Sequence, residues 1–490
     1  MSKVALFLAV LILLSVLWRR CRYNRQLSDG NVTSKILYPS RLHATKVKEL
    51  FLERKNLGRS GKRTGLLLFG NKAESNKYCD TVRKFRQERY FYYLSGVELP
   101  GCAIIHDFWN DKVILFLPNV NQDDILWSGM PLSLKEAKEK YECDEVYHLS
   151  SLDEVLKEQL SEHSLFTTDT DNFDSDYAKS VVRSSDKDLF YSLKKSRMHK
   201  DWYEIRQIKE AVNISERCHR AIISRLSHLK AELDVQAEFV YEAKRQGARI
   251  LAYDPVCAAG ANGGILHYVK NRDLIKNQVS LLVDAGVEFQ QYASDITRSL
   301  PLGGKFTHNH RLIYDAVLDM QKSVAEKMKP GVYWEALHLL SHKILIKHLL
   351  RIGIFRNEFS ELEIFNRKAT IAFYPHGIGH LIGLDVHDCG TNTDKFNDDL
   401  YFTNLRFRGK LEEGMVVTNE PGCYFNHMLL KKYLFNSPER LQVVNLEVLK
   451  LFFEIGGVRI EDCYHITRMS NEKLGSLPSN PDEIEELAAV

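Results

Sequence analysis

The chain has 490 residues, and its 67 Lys and Arg against 64 Asp and Glu give a formal net charge of +3. That length is too great for one ordinary hydrophobic core and predicts two or more domains, while 44% apolar and 27% charged residues match globular proteins and exclude wholesale disorder. The near-neutral charge argues against a nucleic-acid-binding protein, since binding to a polyanion usually requires a basic excess.

The first predicted element is an apolar segment at residues 4–18. As a helix rising about 1.5 Å per residue it reaches roughly 22 Å, so it spans a hydrocarbon core of about 30 Å only if flanking Lys3 and Arg19 snorkel. A cleaved signal peptide would need small residues after the run, where bulky and basic ones stand. A buried core helix is a third possibility. We expect residues 1–22 to be an uncleaved single-pass anchor or targeting segment, with 23–37 as a tether.

Charge around this segment predicts its orientation. Lys3 precedes it, whereas arginines follow at positions 19, 20, 22 and 25. Because positive charge accumulates on the cytosolic side of membrane helices, the remainder of the chain is expected in the cytosol. The nine cysteines, an odd number without a CxxC pair, are typical of reduced thiols and agree with this placement. Glycosylation triplets at Asn31 and Asn213 favour the opposite orientation.

Residues 38–185 are predicted to form a mixed α/β domain. Short apolar runs surrounded by turn-forming residues are typical of strands, and they occur at 65–70, 103–106 and 113–118. The aromatic run 89–94 is also predicted to be a packed strand. A polar stretch at 183–188 predicts the domain boundary.

Residues 186–475 are predicted to form a second domain, followed by a C-terminal tail at 476–490. Apolar residues at three- and four-residue intervals predict helices at 201–246, 311–328 and 335–352. β-rich segments are predicted at 279–300, 415–424 and 456–467. The sequence contains no phosphate-binding loop, nucleophile elbow or HExxH motif, which argues against nucleoside-triphosphate, serine-hydrolase and zincin functions.

One candidate site begins with a predicted hairpin at residues 281–298. A turn near Phe289 and Gln290 places Asp284 and Asp295 at equal distances from its centre, so we expect them to face each other directly. Like charges opposed in this way destabilise a strand pair, and a divalent cation would relieve the repulsion. The alternative is a pair of unrelated solvent-facing aspartates.

Three further segments carry chemically useful side chains. His376, His380 and His387 lie in a glycine-rich stretch that disfavours a regular helix but lets the backbone approach a ligand. A predicted strand delivers Glu420 immediately before Pro421-Gly422. Another delivers Arg459 and Glu461, which share a face because residues two apart in a strand point the same way.

Together these segments resemble the pita-bread metallopeptidases, namely aminopeptidase P, prolidase and methionine aminopeptidase. The resemblance covers most of the chain and is strongest between residues 263 and 461. It implies a creatinase-like α/β N-terminal domain and an α+β pita-bread catalytic domain. It also implies a pair of divalent metals, with ligands at Asp284, Asp295, His380, Glu420 and Glu461.

The resemblance also implies roles for accessory residues. Glu420 would serve as proton shuttle for a metal-bridging hydroxide. His267 and His387 would touch the substrate carbonyl and the developing oxyanion, His376 would line the pocket, and Arg459 would orient nearby groups. A ligand set dominated by oxygen favours Mn²⁺.

The branch of the family is predicted from local features. Residues 85–100 and an insertion at 425–455 resemble eukaryotic, fungal-type prolidases, and Arg406 occupies the place where prolidases bind the terminal carboxylate of a dipeptide. Gly409 stands where a second arginine is expected, with Arg408 beside it.

We therefore expect an Xaa-Pro dipeptidase. The alternatives are an aminopeptidase P acting on longer Xaa-Pro-Xaa peptides, an inactive binding protein on this scaffold and a creatinase-like amidinohydrolase. The family also implies a homodimer.

Overall fold

A computed structural model of the protein describes residues 37–57, 63–391 and 399–489. The predicted anchor at residues 1–22 lies outside these ranges, as does the tether apart from Leu37. Within the described residues, no helix combines the length and the apolar character needed to cross a bilayer.

The N-terminal half is built on one six-stranded mixed sheet, with strand order β4-β3-β2-β1-β5-β6. Pairs β1–β2 and β2–β3 are antiparallel, and the other three pairs are parallel. The strands are β1 Thr64–Phe69, β2 Ala103–Asp107, β3 Lys112–Leu117, β4 Glu145–His148, β5 Ser164–Phe166 and β6 Val182–Arg183. The helices are α1 Ser40–Arg54, α2 Arg89–Ser95, α3 Gln122–Ser128, α4 Leu134–Lys140, α5 Leu152–Gln159 and α6 Asp176–Val181.

Both faces of this sheet are covered, which explains why its strands read as continuous apolar runs. Side chains alternate between faces along a strand. Leu66 and Leu68 pack into the cluster that contains Phe51, while Leu67 joins a second cluster with Leu156. The three predicted strands are confirmed.

The predicted strand at residues 89–94 is wrong, because this segment forms helix α2. Glu88 caps it by accepting a hydrogen bond from the Phe91 amide, and Gly96 ends it in the left-handed region at φ 68°. Residues 91–94 are all buried, so the segment has neither strand alternation nor one helical face. In such a short run the apolar period cannot separate the two structures.

The second half is α+β, with helices packed around small antiparallel sheets. The predicted helix at 201–246 is two helices separated by a 3₁₀ turn, and both later predicted helices are confirmed within a few residues. The helices are α7 Lys187–Met198, α8 Trp202–Arg225, α9 Glu232–Arg245, α10 His308–Lys327, α11 Trp334–Ile352 and α12 Glu361–Asn366. In the predicted insertion lie the short helices α13 His427–Leu430, α14 Pro438–Gln442 and α15 Leu446–Leu449.

In the part of this half that the structure describes, four small sheets form the interior, in the orders β11-β10-β7, β12-β9-β8, β13-β16-β17 and β14-β15. Backbone bridges Thr297↔Glu461 and Leu381↔Val417 join segments between them. The strands are β7 Ile250–Leu251, β8 Val256–Ala259, β9 Ser280–Asp284, β10 Val287–Phe289, β11 Tyr292–Ala293, β12 Thr297–Pro301, β13 Val416–Asn419, β14 Gly422–Tyr424, β15 Gly457–Arg459, β16 Asp462–Ile466 and β17 Asn471–Lys473.

The C-terminal segment packs onto this half. Leu477 and Pro478 accept hydrogen bonds through their carbonyls from Arg298, whose side chain is fully buried. Helix α16, Pro481–Ala488, then packs against α8. The residues predicted as a tail therefore contribute to the core around Arg298.

Candidate metal centre

All ten residues singled out in the sequence line one cavity of about 590 Å³ in the second half of the chain. They come from strand ends and loops that are far apart in sequence. They are His267, Asp284, Asp295, His376, His380, His387, Arg406, Glu420, Arg459 and Glu461.

The aspartate hairpin has a different register from the predicted one. Gln290 and Gln291, at φ 48° and 68°, form a two-residue turn of the kind that β-hairpins favour. Asp284 is consequently paired with Thr297, not with Asp295. The difference of two residues keeps Asp295 on the same face, diagonal to Asp284. The predicted direct opposition is wrong, but both carboxylates still reach the cavity.

Three of the predicted metal ligands are close enough to share one cation. Donor atoms of Asp295, His380 and Glu461 all lie within 4.8 Å of one another. Glu420 is adjacent, with its Oε1 3.5 Å from His380 Nε2. The bridge between Thr297 and Glu461, reinforced by a 2.7 Å hydrogen bond from Thr297 Oγ1 to Glu461 Oε2, holds the last carboxylate against the hairpin.

The protonation of His380 is determined by its backbone contact. Its Nδ1 lies 3.0 Å from the carbonyl oxygen of Leu381, which can only accept, so Nδ1 carries the proton. Burial, the largest cause, lowers the pKa of His380 to about 4. Its unprotonated Nε2 therefore faces Asp295 Oδ2 at 3.4 Å and Glu420 Oε1 at 3.5 Å. The lone pair of His380 Nε2 is directed at the point where two carboxylates converge, an arrangement that fits a bound cation.

The charge of the cluster leads to the same conclusion. Burial raises the pKa of Asp295, Glu420 and Glu461 well above the usual range, and neighbouring carboxylates raise it further. Buried carboxylates resist ionisation unless positive charge compensates them. Divalent cations would supply that charge, so the residues present fit a metal pair.

Tyr253, which the sequence did not indicate, connects the two aspartates. Its hydroxyl lies 2.6 Å from Asp284 Oδ1 and 2.5 Å from Asp295 Oδ1. It precedes β8 in an irregular segment, where no pattern marks a functional side chain. Thr297 was also missed, although its position two residues beyond Asp295 places it on the same strand face.

The glycine-rich histidine segment runs against β13 without forming a helix. A Cβ on Gly379 would lie 2.1 Å from the carbonyl oxygen of Thr418, so only glycine allows this approach. The Thr418 amide donates to the His380 carbonyl, and the His380 amide donates to Thr418 Oγ1. These contacts fix the backbone on both sides of the His380 ring.

Arg459 lies in one wall of the cavity, where it contacts three neighbouring side chains. It donates to Asp284 Oδ2 at 2.5 Å, to the Tyr424 hydroxyl at 2.9 Å and to Thr297 Oγ1 at 3.2 Å. Tyr424 in turn donates to His376 Nε2 at 2.7 Å, because His376 Nδ1 carries the proton that is donated to the Gly377 carbonyl. His376 is thus held as a neutral ring in the pocket wall.

The remaining predicted residues lie exposed on the cavity wall. These are His267, His387 and Arg406. Partial desolvation of the ring within the cavity, the largest cause, and nearby positive charge lower the pKa of His387 to about 3, which keeps its ring neutral at physiological pH. Arg408 instead donates to the Phe402 carbonyl, at 2.7 Å, and it is absent from the cavity lining. Because Arg408 does not line the cavity, it does not take the place of the second arginine expected in prolidases.

A second group of possible metal ligands, His43, Asp201 and Glu204, does not fit a metal. His43 Nε2 is hydrogen bonded to Asp201 at 2.8 Å, and Asp201 also caps α8. Lys46 Nζ lies 3.5 Å from Asp201 and 3.9 Å from Glu204. The lysine already supplies the positive charge that a cation would bring.

Comparison with known proteins covers both halves of the chain. The sequence profile described as metallopeptidase family M24 matches residues 206–468, and the profile of the aminopeptidase P N-terminal domain matches residues 44–167. An uncharacterized peptidase of Saccharomyces cerevisiae is 51% identical over 92% of this chain and 84% of its own. A protein of Talaromyces marneffei named as a probable Xaa-Pro aminopeptidase is 36% identical over 94% and 98%. The structure of aminopeptidase P from E. coli with the inhibitor Pro-Leu superimposes with a TM-score of 0.75 at 25% identity, over 93% of this chain and 99% of that one.

Proposed function

This chain belongs to metallopeptidase family M24, and from that premise we propose that it is an aminopeptidase P-type enzyme. It would remove the first residue from peptides whose second residue is proline. The observation that carries the proposal is the convergence of four carboxylates and the unprotonated Nε2 of His380 in a cavity walled by three further histidines. The predicted family is confirmed. The named fungal relatives are probable Xaa-Pro aminopeptidases, and their names support this alternative over the expected dipeptidase.

The metal site would be formed by the five residues described above. They are Asp284, Asp295, His380, Glu420 and Glu461. A pair of divalent cations, which we propose are Mn²⁺ because of the oxygen-rich ligand set, would supply Lewis acidity to activate water and polarise the scissile carbonyl.

The reaction also requires proton movement by the chain's own groups. Water adds to the carbonyl carbon and must lose a proton, while the proline nitrogen must gain one before the C–N bond breaks. Glu420 borders both the carboxylate cluster and the wall formed by His376, at 3.8 Å from the His376 ring. We assign it to carry that proton from the water to the leaving nitrogen.

The exposed histidines are suited to binding the reacting carbonyl. His267 and His387 reach the cavity from different segments, and a neutral imidazole retains one N–H that can donate to a developing oxyanion. Arg459 remains charged and bonded to Asp284, Tyr424 and Thr297, so it orients the wall and exchanges no proton.

A dipeptidase remains the second candidate because Arg406 is exposed in the cavity, where it can meet a substrate carboxylate. The test compares Ala-Pro-Ala with Ala-Pro in the presence of Mn²⁺. We expect free alanine and Pro-Ala from the tripeptide, with slower cleavage of the dipeptide. Cleavage confined to Ala-Pro, lost in Arg406→Leu but retained in Arg408→Leu, would identify a dipeptidase instead.

The N-terminal apolar segment remains a proposal of its own. We propose that it anchors the protein in a membrane with the catalytic half in the cytosol. The support comes from the sequence alone, namely the apolar run at residues 4–18 and the arginines that follow it.

A further inference from the structure

The N-terminal domain contacts the catalytic half at the turn of the aspartate hairpin. From α2, the Tyr92 hydroxyl donates to the Gln290 carbonyl at 3.2 Å. In the following loop, Glu98 accepts from the Gln291 side chain at 3.3 Å. The strands that continue from this turn carry Asp284 and Asp295, so the N-terminal domain contacts the metal-binding hairpin at its turn.

Arg89, the first residue of α2, makes the most extensive of these contacts. Its Nη1 donates to Gln291 Oε1 at 2.6 Å, and its Nη2 donates to Glu288 Oε1 at 2.9 Å. Its Nε donates to Asp385 Oδ1 at 3.2 Å. Glu288 and Gln291 belong to the hairpin, whereas Asp385 belongs to the histidine segment, two residues before His387.

One buried side chain from the N-terminal domain thus connects two elements of the catalytic site. Arg89 is 8% exposed and Glu288 is 4% exposed, so their ion pair is little screened by water. The guanidinium presents its donors in a rigid planar fork. Once its three acceptors are engaged, the hairpin and the histidine segment cannot shift independently.

A second arginine binds the same histidine segment from within the catalytic half. Arg197 at the end of α7 donates through Nη2 to Asp385 Oδ2 at 2.8 Å and to Asp388 Oδ1 at 2.7 Å. Lys200 Nζ lies 2.8 Å from Asp388 Oδ2. These contacts hold both sides of His387 to the catalytic half, but Arg89 alone among the three cations also contacts the hairpin.

We propose that Arg89 is a positioning residue through which the N-terminal domain fixes the histidine segment carrying His387 relative to the hairpin carrying Asp284 and Asp295. The effect on structure is independent of the reaction. The effect on turnover rests on the proposed peptidase function. Small displacements of catalytic groups are costly, since a shift of about 1 Å can reduce the rate by roughly 10²-fold.

Arg86 offers a matched control. It also pairs with Glu288. Unlike Arg89, it acts on Asp385 only through its charge, and among the described residues it donates no hydrogen bond to that carboxylate. Arg86→Met and Arg89→Met each leave Glu288 with one arginine. A difference between the two variants therefore reports the additional links of Arg89 and not the loss of an ion pair with Glu288.

The first measurement is hydrogen exchange of the metal-free full-length protein. The Gly383 amide donates to the Asp385 carbonyl, and the Asp388 amide donates to the Leu381 carbonyl, so peptides covering 383–388 report the order of this segment. Arg89→Met is expected to accelerate their exchange about tenfold or more, and Arg86→Met to leave it at the wild-type rate. Wild-type exchange in Arg89→Met, or equal acceleration in both variants, would overturn the proposal.

The second measurement is turnover of Ala-Pro-Ala with saturating Mn²⁺. For Arg89→Met we expect kcat to fall by on the order of 10²-fold with KM within about threefold, because orientation and not binding is lost. Arg89→Lys keeps the charge but not the fork, so it should recover only part of kcat. Wild-type kcat in Arg89→Met would refute the catalytic part. If the wild-type protein cleaves no peptide, the proposed function fails, and the exchange result still decides the positioning role.

Discussion

Replacing Asp295 with asparagine should stabilise the metal-free protein and abolish its stabilisation by divalent cations. One hydroxyl, that of Tyr253, lies 2.6 Å from an Asp284 oxygen and 2.5 Å from an Asp295 oxygen, so these two oxygens are about 5 Å apart at most. At an effective dielectric constant near 20, two unit charges at that separation repel by about 3 kcal/mol. Buried carboxylates take up a proton rather than bear the full repulsion, so we expect a net gain of about 1–3 kcal/mol in the free energy of unfolding.

Thermal unfolding measures both effects. Without metal, the asparagine variant should melt higher by roughly 2–4 °C for each kcal/mol gained. With Mn²⁺ at about 100 times its Kd, the wild-type protein should gain about 2.7 kcal/mol by mass action, and the variant little or nothing. Asp254→Asn is the matched control, since Asp254 lines the cavity but lies exposed outside the ligand cluster. A variant less stable than wild type without metal, or one that keeps the full metal-induced shift, would refute the reasoning.

Three further predictions concern the site, the domain interface and the amino terminus. Tyr253→Phe removes the hydroxyl shared by the two hairpin aspartates and should weaken Mn²⁺ binding by about 10–100-fold in a calorimetric titration, so wild-type affinity would contradict that role. Burial alone would raise the pKa of Asp201, but the hydrogen bond and charge of His43, with the charge of Lys46, lower it from 3.8 to about 2. This carboxylate therefore stabilises the fold above about pH 4 and loses its contribution as the pH falls toward 2. Asp201→Asn keeps the helix cap but removes the charge. It should lower the free energy of unfolding by about 2 kcal/mol at neutral pH in urea unfolding, and this free energy should fall less steeply on acidification than in the wild type. An unchanged dependence on acid would contradict this assignment. The full-length protein should stay in the membrane pellet after carbonate extraction, and release into the supernatant would count against an anchor.

The elements that sequence predicted best are those with a clear period or a clear stop signal. The helix predicted at 335–352 ends where Gly353 adopts φ 86°, and the strand at 65–70 is bounded by glycines. The run at 89–94 gave no such signal, because every side chain in it except the half-buried Tyr90 is buried. Whether this run forms a helix or a strand depends on tertiary packing, which the local sequence pattern does not show.

The candidate site was predicted as a set of residues more accurately than as a geometry. The ten residues chosen from local motifs and from the resemblance to a known family all line one cavity. The hairpin register, however, depended on which two residues adopt positive φ, and neither Gln290 nor Gln291 is a typical turn residue. Tyr253 and Arg89 act through contacts between segments that are distant in sequence, and only the folded chain reveals such contacts.

Hydrolysis of Ala-Pro-Ala by metal-stripped and Mn²⁺-reconstituted protein, with the products identified by mass, tests the central claim most directly. The stripped protein should be inactive, and added Mn²⁺ should restore release of free alanine and Pro-Ala. The Asp295→Asn variant should remain inactive at every metal concentration. Cleavage that persists after chelation, or no cleavage of this tripeptide with any divalent metal, would contradict a metal-dependent aminopeptidase.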